Sequence, residues 1–333
     1  ISDPCLRRAV LYPAELRAQN RSGFYLLQIM ASNALKNEAI TETKRMNSTS
    51  PATLSHEDLQ KIMATVDIPA CPAVVSRAMA EAQKDEPDLR RLAELITNDP
   101  AMSAAALKLA NSPLYRSGNR ISSVRQAVDR LGTKNVVCIV VSVALRNSVS
   151  GLPTAWLENF WKRNTQLALA AALIASKQYG ISPDAAYTYT LFHDAAIPLM
   201  MKRFPEYEKI IGDAMASEKY LVDAEEEYFP CTHPIIGSLL VRNWGLPAIF
   251  GLAIRFHHEL DVYELPDKTL PSTALSFIAV TQVAEHISHE LLGENDLEVG
   301  TELFEKALAH LGIGQEEFDD LRARVAEAIG ADA

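Results

Sequence analysis

The chain has no apolar run long enough to cross a membrane. Its longest strongly apolar stretch, Val136 to Leu145, is ten residues including a serine, and a membrane helix needs about 20. No segment shows the basic start, apolar middle and small-residue exit of a secretory signal. The first residue is Ile1 rather than Met, which leaves open an upstream partner domain removed by processing or truncation. Cysteine is scarce: Cys5, Cys71, Cys138 and Cys231 lie far apart with no CxxC pair. That excludes a zinc ribbon or a dense disulfide framework and suits a reducing cytoplasm. The glycine-rich phosphate cradles GxxxxGK[ST] and GxGxxG are missing, since Gly312-Ile313-Gly314 lacks a third glycine and a preceding strand. There is no GxSxG elbow. His258-Glu259 and His289-Glu290 begin like a HExxH zinc motif, but Val262 and Gly293 stand where the second histidine belongs.

The 333 residues are 48% apolar and 22% charged, a globular composition with ample material for a buried core. The net charge of −10 is unevenly spread. Residues 1–50 carry 7 Lys/Arg and 4 Asp/Glu, residues 51–258 carry 21 of each, and residues 259–333 carry 4 against 17. The acidity therefore sits in the last quarter, where it repels nucleic acid and membrane phosphates. One basic stretch runs the other way. Lys108, Arg116, Arg120, Arg125, Arg130, Lys134 and Arg146 face only Asp129 over 108–146. Arg116, Arg120 and Arg125 are the residues there that could contact an anionic ligand, although a solvated loop and helix face explains them as well.

Helix signals dominate. Asp99-Pro100 and Ser182-Pro183 each place a side-chain acceptor before a proline at the first helical position. Ser123 and Gln126 have the spacing of a capping box. Apolar residues recur at three and four, as in Leu89, Leu92, Ala93, Ile96 and in Val124, Ala127, Val128, Leu131. The β-branched segment Val136 to Val143 follows a break at Gly132-Thr133 and has no partner strand nearby, so it is read as a buried helix. The fold class is all-α. Met46 to Leu54 is a polar linker preceded by a helical pattern. Trp161, Leu191, Phe192, Ile197, Leu239, Leu240, Trp244 and Ile254 are expected in the core. Asn111 to Ser122 is expected to be an ordered loop anchored by Tyr115, with Pro113 stopping one helix and Gly118 permitting positive φ.

Four of the eight histidines fall between 193 and 258: His193, His233, His257 and His258. His193-Asp194 stands in an otherwise apolar segment, LFHDAAIPLM, where polar groups need hydrogen bonds or a metal. Imidazole with carboxylate is a usual ligand set for Zn, Mn or Fe. A buried hydrogen-bonded His–Asp pair is the alternative, and the residues alone favour neither. His286 and His289 share a helix face, which with Glu285 and Glu290 beside them reads as exposed and polar.

The chain resembles the HDOD (HD-related output domain) family in nine short pieces in order. They are Ile68-Pro69-Ala70-Cys71-Pro72, Thr97-Asn98-Asp99-Pro100-Ala101, Lys108 to Tyr115, Ile121-Ser122-Ser123-Val124 with Leu131-Gly132, Phe160-Trp161, Leu191-Phe192-His193-Asp194, His233-Pro234-Ile235-Ile236-Gly237, Trp244-Gly245-Leu246-Pro247 and His257-His258. The resemblance covers about residues 55–265, flanked by an N-terminal helical extension and linker, 1–54, and an acidic helical C-terminal region, 266–333. It implies an all-helical bacterial signalling module, related to HD metal-dependent phosphohydrolases and often joined to sensor domains. Such hydrolases hold their metal with an early His, the His-Asp pair and a late Asp. Here the early position holds Arg163 or Asn164, and the late candidates are Thr281 and Gln282 in the helix Ser276 to Ala284. Two of four metal ligands would then be gone.

The resemblance therefore implies a non-catalytic cytoplasmic signalling or scaffolding module with no cofactor. Its partners would be other signalling proteins or an attached sensor domain, with neither membrane nor nucleic acid involved. The alternatives are a phosphohydrolase acting on a nucleotide with a divalent metal (Zn, Mn, Fe or Mg) on His193, Asp194, His233, His257 and His258, or a nucleotide-binding module. If Arg163 takes the early position, its guanidinium replaces the metal and pairs with Asp194. If Asn164 does, Arg163 points to solvent, because one residue of slip turns a side chain by about 100°.

Overall fold

In the computed structural model, residues 66–115, 118–149, 151–217, 219–292 and 299–330 are described. The helical extension and linker expected over 1–54, and Arg116, lie outside them. The described residues contain helices and no strand. In order these are α1 (Ala73–Ala82), α2 (Leu89–Thr97), α3 (Pro100–Ala110), α4 (Val124–Ser148), α5 (Thr154–Ala175), α6 (Pro183–Phe192) and α7 (Ile197–Arg203). They continue with α8 (Tyr207–Ala216), α9 (Leu221–Tyr228), α10 (His233–Asn243), α11 (Ala248–Phe256), α12 (Ser272–Leu292), α13 (Gly300–Leu311) and α14 (Gln315–Gly330), with one 3-10 turn at Val262–Glu264.

The helix starts follow the sequence chemistry. Asp99 accepts from the amides of Ala101 and Met102, and Ser182 from that of Ala185, each ahead of its proline. Ser123 departs from its expected role: its side chain caps nothing, so no capping box forms. Val136 to Val143 is helical and largely buried within α4. The break before it is sharp. Gly132 adopts φ 70° and ψ 174°, a conformation essentially restricted to glycine, so α4 is two helices meeting at a kink.

Helices α1, α2 and α3 pack on α4, α4 meets α6, and α5 pairs with α6. Helix α12 contacts α5, α6, α11 and α13, and carries a long buried stripe that includes Phe277, Ile278, Val280, Val283 and Ile287. Of the expected core, Trp161, Leu191, Phe192, Leu239, Leu240, Trp244 and Ile254 are buried. Ile197 is only half-buried, because it opens α7 at the rim of the turn that carries Asp194. Trp244 also donates its indole N–H to the Pro69 carbonyl at 2.8 Å, tying α10 to the segment before α1.

The loop after α3 is stapled at both ends. Asn111 donates to the Ile121 carbonyl and accepts from the Ile121 amide, both at 2.8 Å. Tyr115 reaches Asp184 at 2.7 Å and Asn135 at 2.9 Å, so it anchors the loop on α4 and α6. Asn135 in turn donates to Asp184 at 2.9 Å and to the Leu131 carbonyl beside the kink. Gly118 has the expected positive φ of 78°. No helix among the described residues is long and apolar enough to cross a membrane.

Candidate metal centre

The His193-Asp194 pair lies in a turn between two helices rather than inside one. Pro198 has no N–H to offer the Asp194 carbonyl, which is taken instead by the Ile197 amide at 2.9 Å. The chain breaks there and presents both side chains to one side. Gly237 lets α10 close on this turn: a Cβ at that position would stand 2.9 Å from the Ile254 side chain and 3.6 Å from the His193 carbonyl oxygen. His233 opens α10, His257 closes α11, and His258 follows it.

Three imidazoles converge on Asp194. His193 Nε2 lies 3.2 Å from one carboxylate oxygen; His257 Nε2 and His233 Nε2 lie 3.3 and 3.4 Å from the other. His258 Nε2 is 3.2 Å from His233 Nε2. Glu285 adds a second carboxylate, 2.9 Å from His193 Nε2. The ring orientations are fixed from behind. His193 Nδ1 donates to the Thr190 carbonyl at 2.5 Å and His257 Nδ1 to the Ile254 carbonyl at 2.7 Å. His233 Nδ1 donates at 2.9 Å to Glu225, which also accepts the His233 backbone N–H at 2.8 Å and the Tyr207 hydroxyl. Glu225 is fully buried, so one carboxylate both caps α10 and orients its first ring.

Committing each Nδ1 as a donor leaves each Nε2, in the neutral ring, as a lone pair aimed at carboxylate oxygens. Acceptors facing acceptors at these distances repel unless a cation stands among them. Protons can play that part. Burial disfavours charge on His193, but Asp194 and Glu285 outweigh it and hold the ring well above its ordinary value. Burial is likewise outweighed at His233, where Glu225 and Asp194 raise the ring to about 10. Burial would raise Asp194, yet His193 and the other rings hold it well below the usual carboxylate range. Burial lowers His257 and His258, and the neighbouring rings lower them further. A divalent cation satisfies the same lone pairs at once. Asp194, His233, His257 and His258 form one group of convergent donors, and His193, Asp194 and Glu285 a second that shares Asp194. This is an N/O donor set with oriented rings, and it fits a divalent metal.

Beside the imidazoles lies a small cavity of ≈ 10 Å³, lined by Tyr189, His257, His258, Thr281, Gln282 and Glu285 among others. That is room for about one water. The Tyr189 hydroxyl is buried with no hydrogen-bond partner among the described residues.

Two expectations about this centre need correction. Arg163 does not pair with Asp194: it is exposed on α5, and its guanidinium meets the His289 ring at 2.6 Å. Asn164 is the buried residue of the two. A buried acidic residue that the sequence reading did not single out stands one turn beyond Thr281 and Gln282. Thr281 pairs with Thr190, and Gln282 accepts from Tyr263, whereas Glu285 reaches His193. Glu285 is therefore buried, and His286 is not on an open polar face either: it is half-buried with its ring stacked on Phe304, which leaves Glu290 exposed. Glu225 escaped notice because nothing distinguishes it from Glu226 and Glu227 beside it. Arg120 and Arg125 do not line the cavity; both are exposed, and Arg125 lies 3.6 Å from Asp129.

The HDOD domain model matches residues 68–260, more than half of the chain. The chain belongs to the HDOD family. An uncharacterized protein of Treponema pallidum (strain Nichols) is 24% identical over 199 residues, covering 58% of this chain and 38% of that protein. The chain thus spans little more than a third of that relative. Among solved structures, the fold is similar to a candidate phosphohydrolase from Shewanella amazonensis SB2B, with TM-score 0.62, 21% identity, and coverage of 81% of this chain and 93% of that one. It is also similar to a candidate signal transduction protein from Marinobacter aquaeolei VT8, with TM-score 0.61, 21% identity, and coverage of 83% and 63%.

Proposed function

We propose that this HDOD chain is a signalling or scaffolding module that holds a divalent cation in its core and acts through protein contacts rather than turnover. The observation that carries this reading is the pairing of a convergent donor set with a cavity of ≈ 10 Å³. A site for a drug- or nucleotide-sized ligand takes about 300–1,000 Å³, far more than this cavity with its room for about one water. The cation would lock the ends of α6 and α11, the start of α10 and the middle of α12 in one register. Partners in this reading are other signalling proteins or an attached sensor domain, which fits the signal transduction protein among the similar folds. The test is metal analysis of the purified protein together with turnover of a simple phosphodiester. Bound Zn, Mn, Fe or Mg without turnover is expected.

A second reading is a metal-dependent phosphohydrolase. It is favoured by one feature, the sharing of Asp194 between two donor groups, because a carboxylate common to two cations is the plan of two-metal hydrolytic sites. Metal-dependent turnover abolished by Asp194→Ala would establish it and overturn the first.

A further inference from the structure

Helix α11 is apolar nearly all the way round. Its nine residues, AIFGLAIRF, hold a single charged side chain, Arg255, a composition that belongs in an interior. One side is so placed: Phe250, Ala253 and Ile254 are buried where α11 packs on α6, α10 and α12. Ile249, Leu252 and Phe256 recur at three and four around the other side, and Leu260 follows four residues on. Leu252 is 37% and Leu260 49% exposed, and Ile249 and Phe256 are half-buried. Apolar side chains in a row at the surface, unlike single ones, mark a contact site.

The charges around this stripe identify what covers it. Residues 233–258 carry Arg242 and Arg255 and no Asp or Glu, in a chain of net charge −10. Two copies can therefore meet here without bringing their acidic excess together. The stripe is also self-complementary. Arg255 stands near its end and the exposed Glu259 and Asp261 follow, with Arg255 3.8 Å from Glu259 in the same chain. A copy laid antiparallel sets the cation of each chain against the carboxylates of the other, the reciprocal pairing of a two-fold interface. One nine-residue helix offers far less than the about 800 Å² per partner of a standard stable interface, so such a dimer is weak and concentration-dependent.

We propose that the outer face of α11, with Leu260, is a self-association surface on which a second copy of this chain docks about a two-fold axis near Phe256. Leu252 of each copy lies against Leu260 of the other, and each Arg255 reaches the other copy's Glu259. The proposal rests on the protein-contact reading above and deepens it by naming the surface and the partner. It places the contact on the helix that runs into His257 and His258. No cation enters it, so metal content and turnover, measured on the same proteins, test the earlier reading apart from this one.

Sedimentation of the full chain over about 5–500 µM measures the association. Expected is a reversible monomer–dimer equilibrium. Leu252→Glu and Leu260→Glu should each keep the wild-type melting profile and weaken the dimer at least about tenfold, the scale of one buried leucine. Arg255→Glu and Glu259→Arg should each weaken it by about threefold, the scale of an exposed charge pair. An equimolar mixture of these two variants should form a heterodimer tighter than either homodimer, because mixing restores both pairs between chains and neither pair within one. A monomer throughout the range would overturn the proposal and leave the stripe to a lipid surface or an unrelated protein. A dimer unchanged in the folded glutamate variants would put association on another face and overturn it as well. No gain on mixing would overturn the two-fold arrangement.

Discussion

Glu225 offers the most discriminating perturbation of the centre. Its carboxylate is fully buried and accepts from the Tyr207 hydroxyl, the His233 amide and His233 Nδ1. Glu225→Ala leaves three buried donors without an acceptor. Each unpaired donor costs about 1–3 kcal/mol, reduced where water can enter the space left by the side chain. A loss of about 3–6 kcal/mol is expected, a large part of the 5–15 kcal/mol typical of a folded domain. Glu225→Gln keeps the shape. Its amide oxygen can still accept both His233 hydrogens, and its NH2 can donate to the Tyr207 oxygen. The cost should then be about 1–2 kcal/mol, but His233 loses the negative charge behind it. Removing such a carboxylate partner weakens metal sites by about 10–100-fold. Urea denaturation of the metal-free proteins measures the first effect, and Co2+ titration of the Gln variant the second. An alanine variant within about 1 kcal/mol of wild type would refute the buried three-donor geometry. A glutamine variant with wild-type Co2+ affinity would refute the role of Glu225 in presenting His233.

Gly132→Ala should destabilise by about 1–3 kcal/mol by chemical denaturation, although nothing stands within 4 Å of the added methyl, because the cost lies in the backbone conformation at the kink. In chelator, the stabilisation that His233 gains from its carboxylates is complete below its unfolded value of about 6.5 and is lost as pH rises through the folded value of about 10. Melting temperature should therefore fall across that interval in the metal-free protein and fall less in His233→Asn. The lowered His258 acts on the other flank: its contribution is present above about 6.5 and lost as pH drops below it. Because metal binding must displace the protons on His193 and His233, the melting-temperature gain from added Zn should grow with pH. Arg163→Ala should leave bound metal unchanged and cost under about 1 kcal/mol, since the pair with His289 is exposed; an altered metal content would reinstate the guanidinium at the centre.

The helical architecture was legible because its signals are local. Asp99-Pro100 and Ser182-Pro183 start helices through atoms within three residues of themselves, and Gly132 marks its own break. The four histidines were legible as a group because polar rings in apolar surroundings must be partnered. What the residues could not convey was angular. Whether Arg163 or Asn164 turns inward is a matter of about 100° about one helix axis, and the answer depends on how α5 is seated against its neighbours. Glu285 was hidden by the same geometry. It lies one turn past Thr281 and Gln282, within an acidic tail whose other described acidic members are exposed, and only the packing of α12 against α6 reveals it. Glu225 had no signal at all, since Glu225, Glu226 and Glu227 are chemically equal until α9 is set against α10.

The Tyr115–Asn135–Asp184 cluster gives the connection after α3 an unusual kinetic character. Asn135 binds Asp184 and the Leu131 carbonyl at the α4 kink, and Tyr115 binds both Asn135 and Asp184. Loop, kink and the first turn of α6 are therefore expected to open as one unit. Native-state hydrogen exchange should show the described loop amides with internal acceptors, such as Tyr115 to Ser112 at 3.1 Å, exchanging with the free energy of that whole unit. Fast exchange at these positions, typical of an ordinary surface connection, would mean that the loop breathes independently of the helices. Slow exchange would make it an extension of the same cooperative block, transmitting any pull on its described residues to α6, the helix that leads into His193.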